Sequence, residues 1–177
     1  TTIGCTSFFP SKPLGSYGDA GAIFTNSKKT YEKIKSIRSH GQTKRNIHNI
    51  LGINGRIDTL QCAVLIAKLK EFKLELKLRR KIFNKYLNFF KINNFRKTKL
   101  IKYEKYGQSA YAQLCIMSEK REFLIKKLKE NNIPSAIYYP LPMDRQKVFG
   151  KSNIHFNKQS YQISKRILSL PFGPYLK

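Results

Sequence analysis

The chain has 177 residues, and its 35 lysines and arginines against 10 acidic residues give a formal charge of +25. A hydrophobic share of 41%, with 12 Phe and 10 Tyr, excludes a disordered chain and suffices for one ordinary core. Cys5, Cys62 and Cys115 lie far apart in sequence, which argues against a disulfide framework or a structural zinc site and fits a reducing compartment.

His40, His48 and His155 are too scattered for a metal cluster, so no metal is expected. No signal pattern is visible and no apolar run approaches membrane-spanning length. A cytoplasmic protein without membrane contact is the expectation. The charge points toward nucleic acid or another anion. Yet the lysines are spread over almost every segment, and no helix-turn-helix, finger or RNA-binding sheet signature is present. Abundant Asn, Ile and Lys also fit an AT-rich coding sequence. Most of the excess therefore reads as solvated surface, with some bias toward a phosphate-bearing ligand. A basic nucleic-acid-binding protein is the alternative reading, and no specific nucleic-acid partner is expected.

Residues 1–6 read as the tail of an element whose start is absent. Ser7-Phe8-Phe9-Pro10-Ser11-Lys12-Pro13-Leu14-Gly15 follows, closed by Tyr17-Gly18-Asp19-Ala20-Gly21-Ala22. Pro10 and Pro13 fix φ on both sides of Lys12 and bias Phe9 and Lys12 away from helix. Lys12 is thus held on a stiff loop, unlike most lysines of this chain. Phe8 and Phe9 suggest that the loop is partly buried, and a lysine desolvated there presents a neutral amine able to form a Schiff base. Ser7 and Ser11 supply hydroxyls for a phosphate.

Residues 21–25 form a short apolar, partly β-branched run, a buried strand. Ser27 caps a helix to about residue 39, which His40-Gly41 ends. Residues 42–49 have loop composition. In Leu51-Gly52-Ile53-Asn54-Gly55-Arg56-Ile57-Asp58-Thr59-Leu60-Gln61, glycines bracket Asn54 and Asp58 opens a helix. Leu65, Leu69, Phe72, Leu76, Phe83, Tyr86 and Phe90 then make one apolar stripe on a long helix over about 58–88. Its charged face carries Lys68, Lys73, Lys77, Arg80 and Lys85. Residues 91–105 read as a lysine-rich surface connection, and 109–117 as a strand. A helix starting near Ser118, with Glu122 close by, ends at Asn131-Asn132. Residues 133–139 read as a strand running into the turn Pro140-Leu141-Pro142, and 158–169 as a last helix before Leu170-Pro171-Phe172-Gly173-Pro174-Tyr175-Leu176.

Three of these blocks, in this order, resemble the DegT/DnrJ-type sugar-nucleotide aminotransferases, which use pyridoxal phosphate. The family's Schiff-base segment resembles Ser7 to Lys12 followed by Gly18-Asp19-Ala20-Gly21, with Ala20 in place of the usual glycine. Its second block resembles His40-Gly41-Gln42 and Gly52 to Gln61. Its third, a strand ending His-Tyr-Pro before a proline loop, is matched by Tyr138-Tyr139-Pro140, with Tyr138 where the histidine is expected. The likeness runs from Ser7 to Leu176, and the nearest branch is the one acting on UDP-linked 3-keto hexuronic acids.

The resemblance implies an α/β fold, a fold-type I pyridoxal-phosphate transferase fragment. Residues 1–57 would be the C-terminal part of the large domain, and 58–177 the connecting helix and small α+β domain, truncated at both ends. It implies Lys12 as the catalytic lysine that carries the cofactor and moves the proton. Ser7 would hold the cofactor phosphate, and Asn54 would reach the phosphate of the neighbouring subunit's cofactor in a homodimer. Arg56 would face a carboxylate of the sugar-nucleotide substrate, with Tyr138 in the substrate pocket. The intact reaction would move an amino group from glutamate to a keto-sugar nucleotide for surface polysaccharide or glycan synthesis. The rest of the family's large domain, with the aspartate facing the pyridine nitrogen, would lie outside this chain, leaving it inactive alone.

Overall fold

A computed structural model of the chain describes residues 2–102, 109–149 and 156–176. The chain divides into two compact units, Thr1–Lys73 and Leu74–Lys177.

In the first unit, β1 (Gly4–Ser7) and β2 (Gly21–Phe24) pair antiparallel, with Gly4 opposite Phe24 and Ser7 opposite Gly21. Helix α1 (Lys28–Arg38) begins as expected at Ser27, whose hydroxyl accepts from the Thr30 amide at 3.2 Å. It ends where His40 (φ 59°) and Gly41 (φ 73°) turn left-handed and the Gly41 amide bonds back to the Ser36 carbonyl. The returning strand of chain crosses closely here. A Cβ on Gly41 would fall on the Ile50 carbonyl, and one on Gly52 would fall on the Gly41 nitrogen.

Residues 42–49 are not the loop their composition suggests. They form a hairpin of β3 (Gln42–Lys44) and β4 (Ile47–His48), turned at Asn46 with φ 63°. Asparagine tolerates the left-handed conformation the turn needs. Every apolar side chain of this first unit is at least partly exposed; Ile23 is 52% and Phe24 60% exposed.

Helix α2 (Thr59–Asn93) follows Asp58, whose carbonyl accepts from the Cys62 amide. It runs beyond the expected end near residue 88. Phe89 and Phe90 pack with Phe95, and left-handed Asn94 (φ 40°) ends the helix. The expected connection over 91–105 therefore holds the last turn of α2 and the strand β5 (Thr98–Leu100); its part beyond residue 102, like His155, lies outside the described residues.

The second unit is built on a three-stranded antiparallel sheet in the order β5, β6 (Leu114–Ser118), β7 (Ile167–Leu170). The strand expected over 109–117 is shorter and ends at Ser118. Along β6 burial alternates, with Leu114, Ile116 and Ser118 inward. The core joins Leu114, Ile116, Leu168, Leu100 and Phe83, with Tyr86, Leu87 and Phe90 of α2 and Leu124, Ile125 and Leu128 of α3 (Arg121–Glu130) packed against it. Burying each such aliphatic side chain is worth about 1.5–3 kcal/mol.

Three expectations need correction here. The helix after Ser118 starts only at Arg121, and the Ser118 hydroxyl accepts from the Lys120 amide instead of capping it. The strand over 133–139 is reduced to one bridge, Ala136 to Ser169. The helix over 158–169 stops at Ser164 as α4 (Lys158–Ser164), and Ile167–Leu170 becomes β7. Pairing with β6 puts Leu168 in full burial, and tertiary contact overrides the helical reading.

Candidate active site

The loop carrying Lys12 is a closed excursion between β1 and β2. The Phe8 amide donates to the Ala20 carbonyl at 2.8 Å, and the Ser16 amide to the Phe8 carbonyl at 2.8 Å. Inside, the Lys12 amide donates to the Phe9 carbonyl at 2.8 Å. Ser16 is fully buried, its hydroxyl 2.7 Å from the Phe8 carbonyl and 2.6 Å from the Gly18 carbonyl. Gly15 is needed because a Cβ there would stand 2.6 Å from the Pro10 carbonyl. Main-chain bonds and one buried hydroxyl therefore fix the loop, and none of them uses the Lys12 side chain.

The expectation of a partly buried lysine fails. Lys12 is exposed, and so is Phe9, at 50%. Two prolines stiffen the chain without covering it. Ser7, at the end of β1, is exposed and its Oγ accepts from the Phe9 amide at 3.3 Å.

Asn54 and Arg56 lie on a second turn of the same unit. The Ile53 amide donates to the Ile37 carbonyl and the Gly55 amide to the Arg38 carbonyl, both at 2.8 Å, so the end of α1 holds Asn54 between them. Both side chains are exposed, and Arg56 Nε donates to Asn54 Oδ1 at 3.3 Å. The structure thus brings Asn54 to Arg56, and Ser7 to the Lys12 loop.

The sequence model of the DegT/DnrJ/EryC1/StrS aminotransferase family matches residues 1–177. The chain belongs to this family. Among curated proteins it is similar to the UDP-2-acetamido-2-deoxy-3-oxo-D-glucuronate aminotransferase of Pseudomonas aeruginosa, at 37% identity over 99% of this chain and 48% of the relative. It is also similar to the UDP-N-acetyl-3-dehydro-alpha-D-glucosamine 3-aminotransferase of Acidithiobacillus ferrooxidans, at 31% identity over 99% of this chain and 47% of the relative. Among solved structures, a DegT DnrJ EryC1 StrS aminotransferase from Brucella abortus superimposes with a TM-score of 0.89, at 36% identity over 99% of this chain and 47% of its own. NtdA from Bacillus subtilis, solved with bound cofactor PMP, superimposes with a TM-score of 0.88, at 25% identity over 98% of this chain and 42% of its own. The chain spans about half the length of the curated relatives it matches. The expected fragment of an α/β fold-type I transferase is what is observed, matching 47% and 42% of these two solved chains.

Within this family member, Tyr138 belongs to the second unit. It is 42% exposed, packs edge-on against Tyr139 at 5.6 Å, and borders a cavity of about 630 Å3. Asp144 and Gln146 also line it, and Asp144 Oδ2 accepts from the Asn157 amide at 2.7 Å.

Two residues that the sequence reading gave no role hold the Lys12 loop. Gln61 Oε1 accepts from the Tyr17 amide at 2.7 Å, and Lys68 Nζ donates to the Gly15 carbonyl at 2.6 Å. Lys68 was expected on the solvated charged face of α2; it is half-buried against this loop. Gln61 closes the second motif, a signal present in the sequence, whereas nothing separates Lys68 from its neighbouring lysines.

Among the described residues no His, Cys, Asp and Glu grouping suits a metal ion, and no helix is long and apolar enough to cross a membrane.

Proposed function

We propose that this chain supplies the lysine-bearing part of a pyridoxal-phosphate aminotransferase that acts on a UDP-linked keto sugar. The observation that carries the reading is Lys12, an exposed amine on a loop whose shape is fixed without it. Family membership and the names of the two UDP-sugar relatives support it. The chemistry of the residues fits the cofactor: Lys12 offers an amine for its aldehyde, and Ser7, at the end of β1 where the Lys12 loop begins, offers a hydroxyl for its phosphate.

When bound, pyridoxal phosphate supplies the electron sink. Lys12 would hold it covalently, and its Nζ would carry the proton. Ser7 Oγ donates to its phosphate. Asn54, fixed to α1 on both sides, presents its amide to a phosphate, in our reading that of a second subunit's cofactor in a homodimer. Arg56 keeps its terminal nitrogens available for the sugar carboxylate, because only Nε is engaged with Asn54. Tyr138 lends an aromatic wall to the substrate.

Glutamate is the proposed amino donor, the cytoplasm the proposed compartment, and surface polysaccharide or glycan assembly the proposed use of the product. Unit 1 buries no apolar side chain by itself, and the relatives carry about as much chain again, which supports activity only in the longer protein. In that complete enzyme, Lys12→Ala abolishes transamination, by at least a thousandfold on the scale of a lost nucleophile, while phosphate-anchored cofactor still binds. Borohydride reduction with pyridoxal phosphate, then peptide mapping, checks this. Covalent cofactor on another lysine overturns the assignment.

A further inference from the structure

We propose that Gln61 and Lys68 are positioning residues that clamp the Lys12 loop to α2 and hold its amine in place. The proposal rests on the reading of Lys12 given above. Gln61 and Lys68 stand two helical turns apart, so both project from one side of α2. Each grips a different stretch of the loop. Gln61 Oε1 takes the Tyr17 amide at 2.7 Å, and its Nε2 lies 3.0 Å from where a Cβ on Gly18 would be. Lys68 Nζ donates to the Gly15 carbonyl at 2.6 Å and sits 5.2 Å from the centre of the Tyr17 ring. Tyr17 is thus held through its amide by one residue and through its ring by the other.

The grip reaches Lys12 through the main chain. Gly15 lies directly against the carbonyls of Phe9 and Pro10, and the Phe9 carbonyl accepts the Lys12 amide. A shift at Gly15 therefore moves the turn that carries Lys12. Hydrogen bonds from an ammonium to a carbonyl are stronger than neutral ones. The Lys68 contact is also half-buried, where competition from water is reduced. The loop's outer surface is open, with Phe9, Ser11 and Lys12 all exposed; its internal bonds set its shape, and the contacts of Gln61 and Lys68 tie it to α2.

The test compares the unsubstituted protein with Gln61→Leu, Lys68→Met, and the restoring variants Gln61→Glu and Lys68→Arg. Circular dichroism at the helix band first confirms that α2 is retained. Hydrogen exchange then reads the Tyr17 amide, which should exchange about tenfold faster in Gln61→Leu, the effect of losing one hydrogen bond. Site-resolved labelling with pyridoxal phosphate and borohydride reads Lys12 against Lys77 on the open face of α2. The Lys12 to Lys77 ratio should fall severalfold in Lys68→Met and return in Lys68→Arg. Unchanged exchange and an unchanged ratio in both Leu and Met variants would overturn the clamp while leaving the Lys12 assignment intact. No preference for Lys12 in the unsubstituted protein would overturn the assignment itself, and with it the role given to the clamp, even if Tyr17 exchange still responds.

Discussion

Arg56 and Asn54 share one hydrogen bond, and that bond divides the labour of the guanidinium. Nε faces Asn54, so the terminal nitrogens can present a planar fork to a carboxylate. In the complete enzyme, Arg56→Lys should weaken binding of a UDP-linked keto-hexuronate about tenfold, the scale of one charge-assisted bond. Binding of pyridoxal phosphate should change much less. Calorimetric titration of each ligand measures both. Equal losses would mean that Arg56 serves the Asn54 turn alone. The turns that carry Lys12 and Asn54 were legible in the sequence because prolines and glycines act locally, while the roles given to Ser7, Lys12, Asn54 and Arg56 rest on the family resemblance. The exposure of Lys12 was not, because two neighbouring phenylalanines say nothing about which way they face. Nor was the grip of Lys68, whose partner Gly15 lies 53 residues away.

At the scale of elements, the long helix and the strand before α1 were readable from period and caps, while the burial expected of that strand was not, since Ile23 and Phe24 are exposed, and neither was β7. Ile167–Leu170 is short and lacks turn residues to separate it from α4; only pairing with β6 makes it a strand. The hairpin at 42–49 was hidden by polar side chains, since its strands face water. Helix α2 and the segment after β7 are joined by Tyr86, whose hydroxyl donates to the Pro171 carbonyl at 3.0 Å. Burial raises this phenol above its ordinary value of 10.0. The folded chain therefore keeps the proton at a pH where the unfolded chain releases it. The stabilisation is complete below about pH 10 and is lost as pH rises through the folded value. Denaturant midpoints measured from about pH 9 to about pH 11 should fall more steeply for the unsubstituted protein than for Tyr86→Phe. Parallel slopes would show that Tyr86 ionises alike in both states. On the same helix, Arg79 donates to the Tyr111 carbonyl at 3.1 Å, and burial pulls its guanidinium downward against the opposing pull of Glu75 and Tyr175.

For the whole molecule, charge and core are distributed differently. All the buried hydrophobic side chains among the described residues fall between Ile82 and Leu168, in the second unit. The cations, by contrast, are spread along the entire chain, and the ion pairs among the described residues are Arg121 with Glu122 and Lys127 with Glu130. Such a distribution attracts any polyanion weakly and reads no sequence. Binding to duplex DNA should be measurable at low salt and fade steeply toward physiological ionic strength, with the same affinity for unrelated sequences, as fluorescence anisotropy would show. Tight, sequence-dependent binding at physiological salt would favour the nucleic-acid reading of the +25 charge.

The crossing of Gly41 and Gly52 has a meaning at the level of the gene. Every first- or second-base change in a glycine codon installs a side chain or a stop. At Gly41 the new atom meets the Ile50 carbonyl, and at Gly52 it meets the Gly41 nitrogen, so in both places it strikes backbone. Only third-base drift is silent there. An AT-rich coding sequence can carry lysine and asparagine into most surface positions of this protein, but at these two codons that drift is confined to the wobble base.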